Sequence, residues 1–133
     1  MTIVLTDLAA GHTFDPLTIT ITAELVRAYC AAVDDRLPIY HDADIVPPLA
    51  VAALALGALL ERVALPPGSL HASESLEMRR AVPAGAAVEC RARLAQRSQR
   101  AGWVVSVLDS EMLVDGEPAL VARATVLSPA GGA

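Results

Sequence analysis

The chain has 133 residues, enough for one ordinary domain and too few for two cores of the usual size. Hydrophobic residues make up 54% and charged residues 19%, a balance that excludes intrinsic disorder. The net charge of −5 has the wrong sign for a nucleic-acid-binding protein, and 3% aromatic residues are too few for base stacking. We therefore expect a single domain over residues 1–133, with a tail that frays from about residue 129 and no nucleic-acid partner.

The cysteines and the N-terminal residues indicate the compartment. Cys30 and Cys90 lie far apart and form no CxxC pair. Residues 1–14 lack the basic region of a secretory signal, and the apolar stretch 47–60 is shorter than the ~18–20 residues that span a membrane. These features predict a cytoplasmic protein with reduced thiols and no membrane contact.

Two helices are predicted in the first half of the chain. Thr22 is a suitable N-cap for the first helix, which should end near residues 34–35 because Leu37 precedes a proline. The second helix is predicted from about Pro48 to Ala64 and is apolar on every side. A helix without a polar face must be covered by other elements of the fold.

The second half of the chain has the alternation that is typical of β-strands. Val88, Cys90, Ala92 and Leu94 should face inward between Arg and Glu side chains, and the Asp115-Gly116 dipeptide predicts a hairpin turn. A short strand near residues 13–14 is a further prediction. The four main strands are predicted over residues 70–80, 88–94, 103–114 and 119–127. The fold class is therefore α+β, with an antiparallel sheet curved around one long apolar helix, and its edge strand is suited to pairing with a second subunit.

Residues 33–44 concentrate acidic side chains with a Tyr and a His in a predicted loop between the two helices. An Asp and a His held close together can position a water molecule for addition to an activated double bond. The alternative is a solvated acidic loop whose aspartates cap the neighbouring helices.

Four strings in the chain resemble the MaoC-like group of (R)-specific hydratases and dehydratases, which have the hotdog fold. The resemblance extends from about Phe14 to Leu127. The strings are YCAAVDD at 29–35, PIYHD at 38–42, VPPL at 46–49, and LH at 70–71 continuing to LEMRRAVPAG at 76–85. The last string, with the turns that follow it, is the strongest part of the resemblance.

The resemblance implies which residues bind substrate and water. In this family an Asp and a His in a D-x-N-P-x-H motif bind the water that crosses the double bond of an enoyl thioester. Asp35 falls on the catalytic Asp, whereas Leu37 replaces the Asn, Tyr40 takes the position of the His, and His41 follows one residue late.

The family also holds the thioester oxygen with a backbone N–H at the start of the central helix, where the helix dipole favours negative charge. Pro48 lies near that position and has no N–H. Leu49 and Ala50 are therefore the predicted donors. Leu54 is predicted to line the acyl tunnel, and His71 is either a further tunnel residue or a hydrogen-bonded, partly buried histidine.

Three functions are compatible with these departures from the motif. In the first, Asp35 and His41 still act as a hydratase or dehydratase dyad on an enoyl or 3-hydroxyacyl thioester of CoA or a carrier protein, with Tyr40 lining the pocket. In the second, the chain is a non-catalytic acyl-binding subunit of a heteromeric dehydratase. In the third, the fold serves thioester hydrolysis, cyclisation or isomerisation. The first chemistry requires no metal or redox cofactor, and the partner subunit is a second copy or a related hotdog chain.

Overall fold

The computed structural model describes residues 3–42 and 44–131. The architecture is α+β, as predicted, with an antiparallel sheet packed against an apolar helix. None of the helices in this part of the chain is long and apolar enough to cross a membrane. The elements are β1 Ile3–Val4, β2 Leu17–Thr20, α1 Ala23–Ala32, α2 Pro38–Asp42, α3 Pro48–Leu60, β3 Val63–Ala64, β4 Leu70–Met78, β5 Ala87–Arg100, β6 Trp103–Val114 and β7 Glu117–Pro129.

Helix α1 begins at the predicted N-cap. The Leu25 N–H donates to the Thr22 hydroxyl oxygen at 3.1 Å, which satisfies one of the unpaired donors of the first turn. Val26 and Cys30 lie one turn apart and are buried, whereas Leu25 remains exposed. One face of α1 therefore covers the core.

The main sheet has five antiparallel strands in the order β2-β5-β6-β7-β4. Its two central hairpins close with the two-residue turns Ala101-Gly102 and Asp115-Gly116, whose residues all have positive φ. Turns of this kind match the twist of the flanking strands. The predicted Asp-Gly hairpin is confirmed.

The core lies between α3 and one face of the sheet. The alternation predicted for β5 is confirmed, since Val88 and Leu94 are fully buried while Arg91 and Arg93 are exposed. Small and β-branched residues on the sheet side of α3 complete this layer. The buried residues of α3 are Ala50, Val51, Ala52, Ala55 and Leu59.

The predicted end of α3 at Ala64 is wrong, because the helix stops at Leu60. Glu61 and Arg62 form a turn, and the Arg62 guanidinium donates to the Asp15 carbonyl oxygen at 3.0 Å. Val63 and Ala64 then form β3, which pairs in parallel with β1 and buries Val63. A β-branched residue after two charged ones favours this strand over another helical turn.

Other element bounds also differ from the predictions. Strand β4 stops at Met78 because the Arg79 and Arg80 N–H groups both donate to the Ala119 carbonyl oxygen, at 2.8 and 3.2 Å. The predicted strand near residue 13 is an isolated bridge between Thr13 and Arg93. The predicted loop 33–44 contains the short helix α2.

The C-terminal part of β7 is paired as far as its last residue, Pro129, and the Ala130 N–H donates to the Gly102 carbonyl oxygen at 2.8 Å. The tail is predicted to fray from about residue 129, whereas residues 129 and 130 are paired. Residues 132–133 lie outside the described residues.

Strand β4 lies at one edge of the five-stranded sheet and carries a β-bulge. Its register with β7 shifts between His71, which pairs with Val126, and Ser73, which pairs with Thr125. Ala72 is therefore the additional residue. Leu70 and Leu76 are among the large apolar side chains that this edge exposes.

Candidate active site

The turn that ends α1 positions the first candidate residue, Asp35. Asp34 adopts a left-handed backbone with φ of 55°. The Asp35 N–H donates to the Cys30 carbonyl oxygen at 2.8 Å, and the Asp34 N–H donates to the Ala31 carbonyl oxygen at 3.3 Å. These two bonds form a Schellman motif, which reverses the chain at a defined angle. Asp35 consequently has a constrained backbone at the mouth of a cleft.

The Asp35 carboxylate is oriented by the next residues of the chain. Its Oδ1 atom accepts a hydrogen bond from the Leu37 N–H at 3.1 Å, which is an Asx turn. Oδ2 has no hydrogen-bond partner among the described residues. The side chain is half-buried, so one oxygen is engaged by the loop and the other is available to a ligand.

The cleft beside Asp35 has a volume of about 680 Å³. Its walls come from the end of α1, the loop to α2, α2 itself and the start of α3, which meet only in the folded chain. The lining residues are Tyr29, Val33, Asp34, Asp35, Arg36, Leu37, Tyr40, Pro47, Pro48 and Leu49. The cleft thus combines carboxylates, phenols and apolar side chains.

Two tyrosines give the cleft its hydroxyl groups. Tyr29 and Tyr40 are half-buried and pack against the core cluster under α3. Burial raises the pKa of Tyr29, and the nearby Cys30, Asp35 and Tyr40 raise it further. Tyr29 therefore stays a neutral phenol at physiological pH and can donate a hydrogen bond.

The start of α3 supplies backbone donors to the same cleft. The Ala50 and Val51 N–H groups both donate to the Pro47 carbonyl oxygen, at 3.0 and 3.2 Å. The Leu49 N–H has no acceptor among the described residues, and Leu49 is 54% exposed. Of the two predicted donors, only the Leu49 N–H is available at the positive end of the helix dipole.

The structure brings three of the predicted site residues together and separates the others. Asp35, Tyr40 and Leu49 line one cleft, and His41, the next residue of α2, is exposed and is not part of the lining. Ala50 is buried in the core behind the cleft. Leu54 lies in a different groove, between α3, β2 and α1, and His71 lies on β4.

Sequence reasoning missed Tyr29 as a site residue because it belongs to the apolar stripe of α1. A signal was present, since Tyr29 and Val33 are four residues apart and therefore share the helix face that leads to Asp35. Pro47, the residue before α3, also forms part of the wall of the cleft.

A larger groove, of about 1090 Å³, lies on the face of the sheet that points away from α3. Several of its charged side chains are ion-paired, and Arg123 donates two hydrogen bonds of 2.6 and 2.8 Å to Asp109. That hydrogen bonding lowers the pKa of Asp109. Asp109 and Arg123 form hydrogen bonds and an ion pair with each other. The smaller cleft beside Asp35 is therefore the better candidate for an active site.

Comparison with protein families identifies the class of this protein. The family model "FAS1-like, dehydratase domain region" matches residues 9–121, which is most of the chain. The chain therefore belongs to this family of dehydratase domains, and its fold is the hotdog fold of the MaoC-like hydratases and dehydratases. A comparison with curated protein sequences gave no significant match.

Three solved structures illustrate the similarity of fold. The (R)-hydratase PhaJ1 of Pseudomonas aeruginosa has a TM-score of 0.78 and 17% identity, over 96% of this chain and 86% of its own. The (R)-hydratase of A. caviae involved in PHA biosynthesis has a TM-score of 0.75 and 23% identity, over 92% and 98%. The HadBC 3R-hydroxyacyl-ACP dehydratase complex of Mycobacterium tuberculosis has a TM-score of 0.76 and 20% identity, over 93% and 100%.

Proposed function

We propose that this protein hydrates enoyl thioesters, or dehydrates 3-hydroxyacyl thioesters, in the cleft beside Asp35. The observation that carries the proposal is the convergence on one cleft of a carboxylate, a phenol and a helix N–H, where one carboxylate oxygen and the N–H have no partner among residues 3–42 and 44–131. These are the groups that the reaction needs: a base, a proton donor and an oxyanion donor. The acyl carrier, CoA or a carrier protein, is part of the proposed substrate class.

Each group has a defined task in hydration. Asp35 Oδ2 accepts the proton of the water whose oxygen adds to the β-carbon. The Leu49 N–H stabilises the enolate that forms on the thioester oxygen. The α-carbon then takes a proton from Tyr40 or His41, which are adjacent on α2, and the position of Tyr40 in the cleft favours Tyr40. The proton held by Asp35 returns to this donor through water, which restores both groups. Dehydration follows the same steps in reverse.

The test is the loss of absorbance at the conjugated enoyl thioester band when purified protein is mixed with a panel of acyl chain lengths. Turnover supports the proposal. A folded protein that is silent across the panel contradicts it and points to an accessory subunit or a different thioester reaction.

Two conservative variants then identify the proton donor. Tyr40→Phe removes only the phenol hydroxyl, and His41→Gln keeps a polar side chain of similar reach. A large rate loss in Tyr40→Phe alone supports Tyr40 as the donor, and a loss in His41→Gln alone assigns the role to His41. Asp42→Asn, a neighbouring exposed carboxylate, serves as the control.

We further propose that a second hotdog chain pairs along β4. The edge position of β4, with Leu70 and Leu76 exposed, supports this proposal. A second copy is the expected partner, and a related chain is the alternative. The molar mass in solution, measured by light scattering after size-exclusion chromatography, distinguishes a dimer from a monomer. Two free, buried cysteines support placement in the cytoplasm.

A further inference from the structure

The start of α3 supplies the Asp35 cleft with one backbone donor for a developing oxyanion. The Ala50 and Val51 N–H groups already donate to a carbonyl oxygen of the chain, that of Pro47. Only the Leu49 N–H is therefore available at this helix start in the part of the chain that the structure describes. Enzymes commonly stabilise an oxyanion with more than one hydrogen-bond donor. A second donor in this cleft has to be a side chain.

Three side chains in the lining of the cleft carry a hydrogen-bond donor, namely Tyr29, Arg36 and Tyr40. The Arg36 side chain is 86% exposed and its Nε atom lies 2.9 Å from Asp34 Oδ1, so this guanidinium is hydrated and already paired. Tyr40 is the donor of the α-carbon proton in the proposed function. Tyr29 is the remaining donor, and it has no role in that reaction so far.

The surroundings of Tyr29 suit a fixed, neutral donor. Its side chain is half-buried and packs against the core cluster that contains Ala50 and Val51 of the first turn of α3. The phenol hydroxyl has no hydrogen-bond partner among residues 3–42 and 44–131. Burial raises the pKa of Tyr29, and the nearby Cys30 and Asp35 raise it further, so the hydroxyl keeps its proton at physiological pH. A donor that is held in place before the reaction needs little reorganisation when charge develops.

We infer that the Tyr29 hydroxyl is the second oxyanion donor and donates to the thioester oxygen together with the Leu49 N–H. This inference rests on the proposed function, which places the thioester in the Asp35 cleft. When the water oxygen bonds to the β-carbon, its proton passes to Asp35 and the π-electron pair of the double bond moves onto the thioester oxygen. Tyr29 and Leu49 stabilise that charge by hydrogen bonds and transfer no proton.

Tyr29→Phe removes the hydroxyl and keeps the ring that packs against the core. A hydrogen bond to the oxyanion is stronger than one to the neutral carbonyl of the substrate, so the variant should lose rate more than affinity. We expect kcat to fall by about 10²–10³ and KM to stay within about threefold of wild type. The Tm should match that of wild type, because the hydroxyl has no partner in residues 3–42 and 44–131. Tyr40→Phe is the matched control, since the chain has two tyrosines and both line the cleft.

Infrared spectroscopy of a bound thioester tests the contact directly and without turnover. The probe is a saturated N-acetylcysteamine thioester with ¹³C in its thioester carbonyl, of the chain length whose enoyl form is turned over fastest. Hydrogen bonds polarise a carbonyl and lower its stretching frequency, so the band should lie lower on wild-type protein than in buffer. In Tyr29→Phe it should return part of the way toward its position in buffer. In Tyr40→Phe kcat should fall while the band stays at its wild-type position.

Three results would overturn the inference. A Tyr29→Phe variant that keeps the wild-type kcat, or that loses rate while the carbonyl band stays at its wild-type position, overturns it and leaves the proposed function standing. A band that moves in Tyr40→Phe and not in Tyr29→Phe assigns the contact to Tyr40 and overturns it as well. If the wild-type protein turns over no enoyl thioester, the proposed function and the inference are overturned together.

Discussion

Replacing Asp35 by Asn separates the chemical role of the carboxylate from its structural role. Asn retains an oxygen at the Oδ1 position, so it can still accept the 3.1 Å hydrogen bond from the Leu37 N–H. The free energy of unfolding should change by less than about 0.5 kcal/mol. The loss of the base should lower kcat/KM by about 10²–10⁴, which corresponds to about 3–5 kcal/mol of transition-state stabilisation.

Asp35→Ala should add a structural effect to the same loss of rate. It leaves the Leu37 N–H without its acceptor, at a cost of about 1 kcal/mol and a few degrees in Tm. Asp34→Asn is the control, because Asn tolerates the left-handed backbone of this position and the side chain is 76% exposed. Its rate should stay within about threefold of wild type, since an exposed ion pair with Arg36 contributes little.

The assay is hydration of an enoyl thioester followed by absorbance, with thermal unfolding of each variant measured in the same buffer. Two results would refute the reasoning. One is an Asp35→Asn variant that retains wild-type kcat/KM. The other is an Asp35→Asn variant that loses stability as strongly as Asp35→Ala, which would make Asp35 a structural cap.

Three further predictions concern the sheet and its core. The hydrogen bonds from Arg123 hold the pKa of Asp109 below its ordinary value, so Asp109→Asn should lower stability at neutral pH. In acid unfolding curves the difference from wild type should begin to shrink as pH falls below about 4 and should vanish only below the lowered pKa of the folded state. Burial raises the pKa of Cys90 to about 11, so a disulfide reagent at pH 8 should label this thiol only after unfolding, and rapid labelling in the native state would contradict its burial. Leu94→Ala should cost about 2–5 kcal/mol in urea unfolding, because Leu94 is fully buried, whereas Leu25→Ala, at 43% exposure, should cost under about 1 kcal/mol.

Local signals in the sequence predicted much of this fold. The cap at Thr22, the Asp115-Gly116 turn and the alternation in β5 each depend on neighbouring residues, and each is confirmed. The end of α3 depends instead on a distant segment, because Val63 pairs with Ile3 sixty residues earlier in the chain. Periodicity within a window cannot detect such a pairing, and an apolar run continues to look helical.

Some residues of the candidate site can likewise be predicted from local sequence, and others depend on the three-dimensional structure. The motif and the start of the second helix predict Asp35, Tyr40 and Leu49 as site residues, and these three line one cleft. The prediction for Leu54 depends only on its place in an apolar helix, and an apolar helix does not show which of its sides faces the cleft; Leu54 lies in another groove. Strict alternation sets Glu74 on the opposite face of the strand from His71, and only the three-dimensional register shows the additional residue between them.

The bulge at Ala72 also limits which chains can extend the sheet. An open edge strand is a template for indiscriminate association, and an irregularity in the edge breaks that template. The regular part of β4 that can pair with an incoming strand runs from residue 73 to residue 78, and a partner must accommodate the additional residue to pair further. The same local irregularity that aims His71 toward α3 therefore protects the protein against aggregation through its exposed edge.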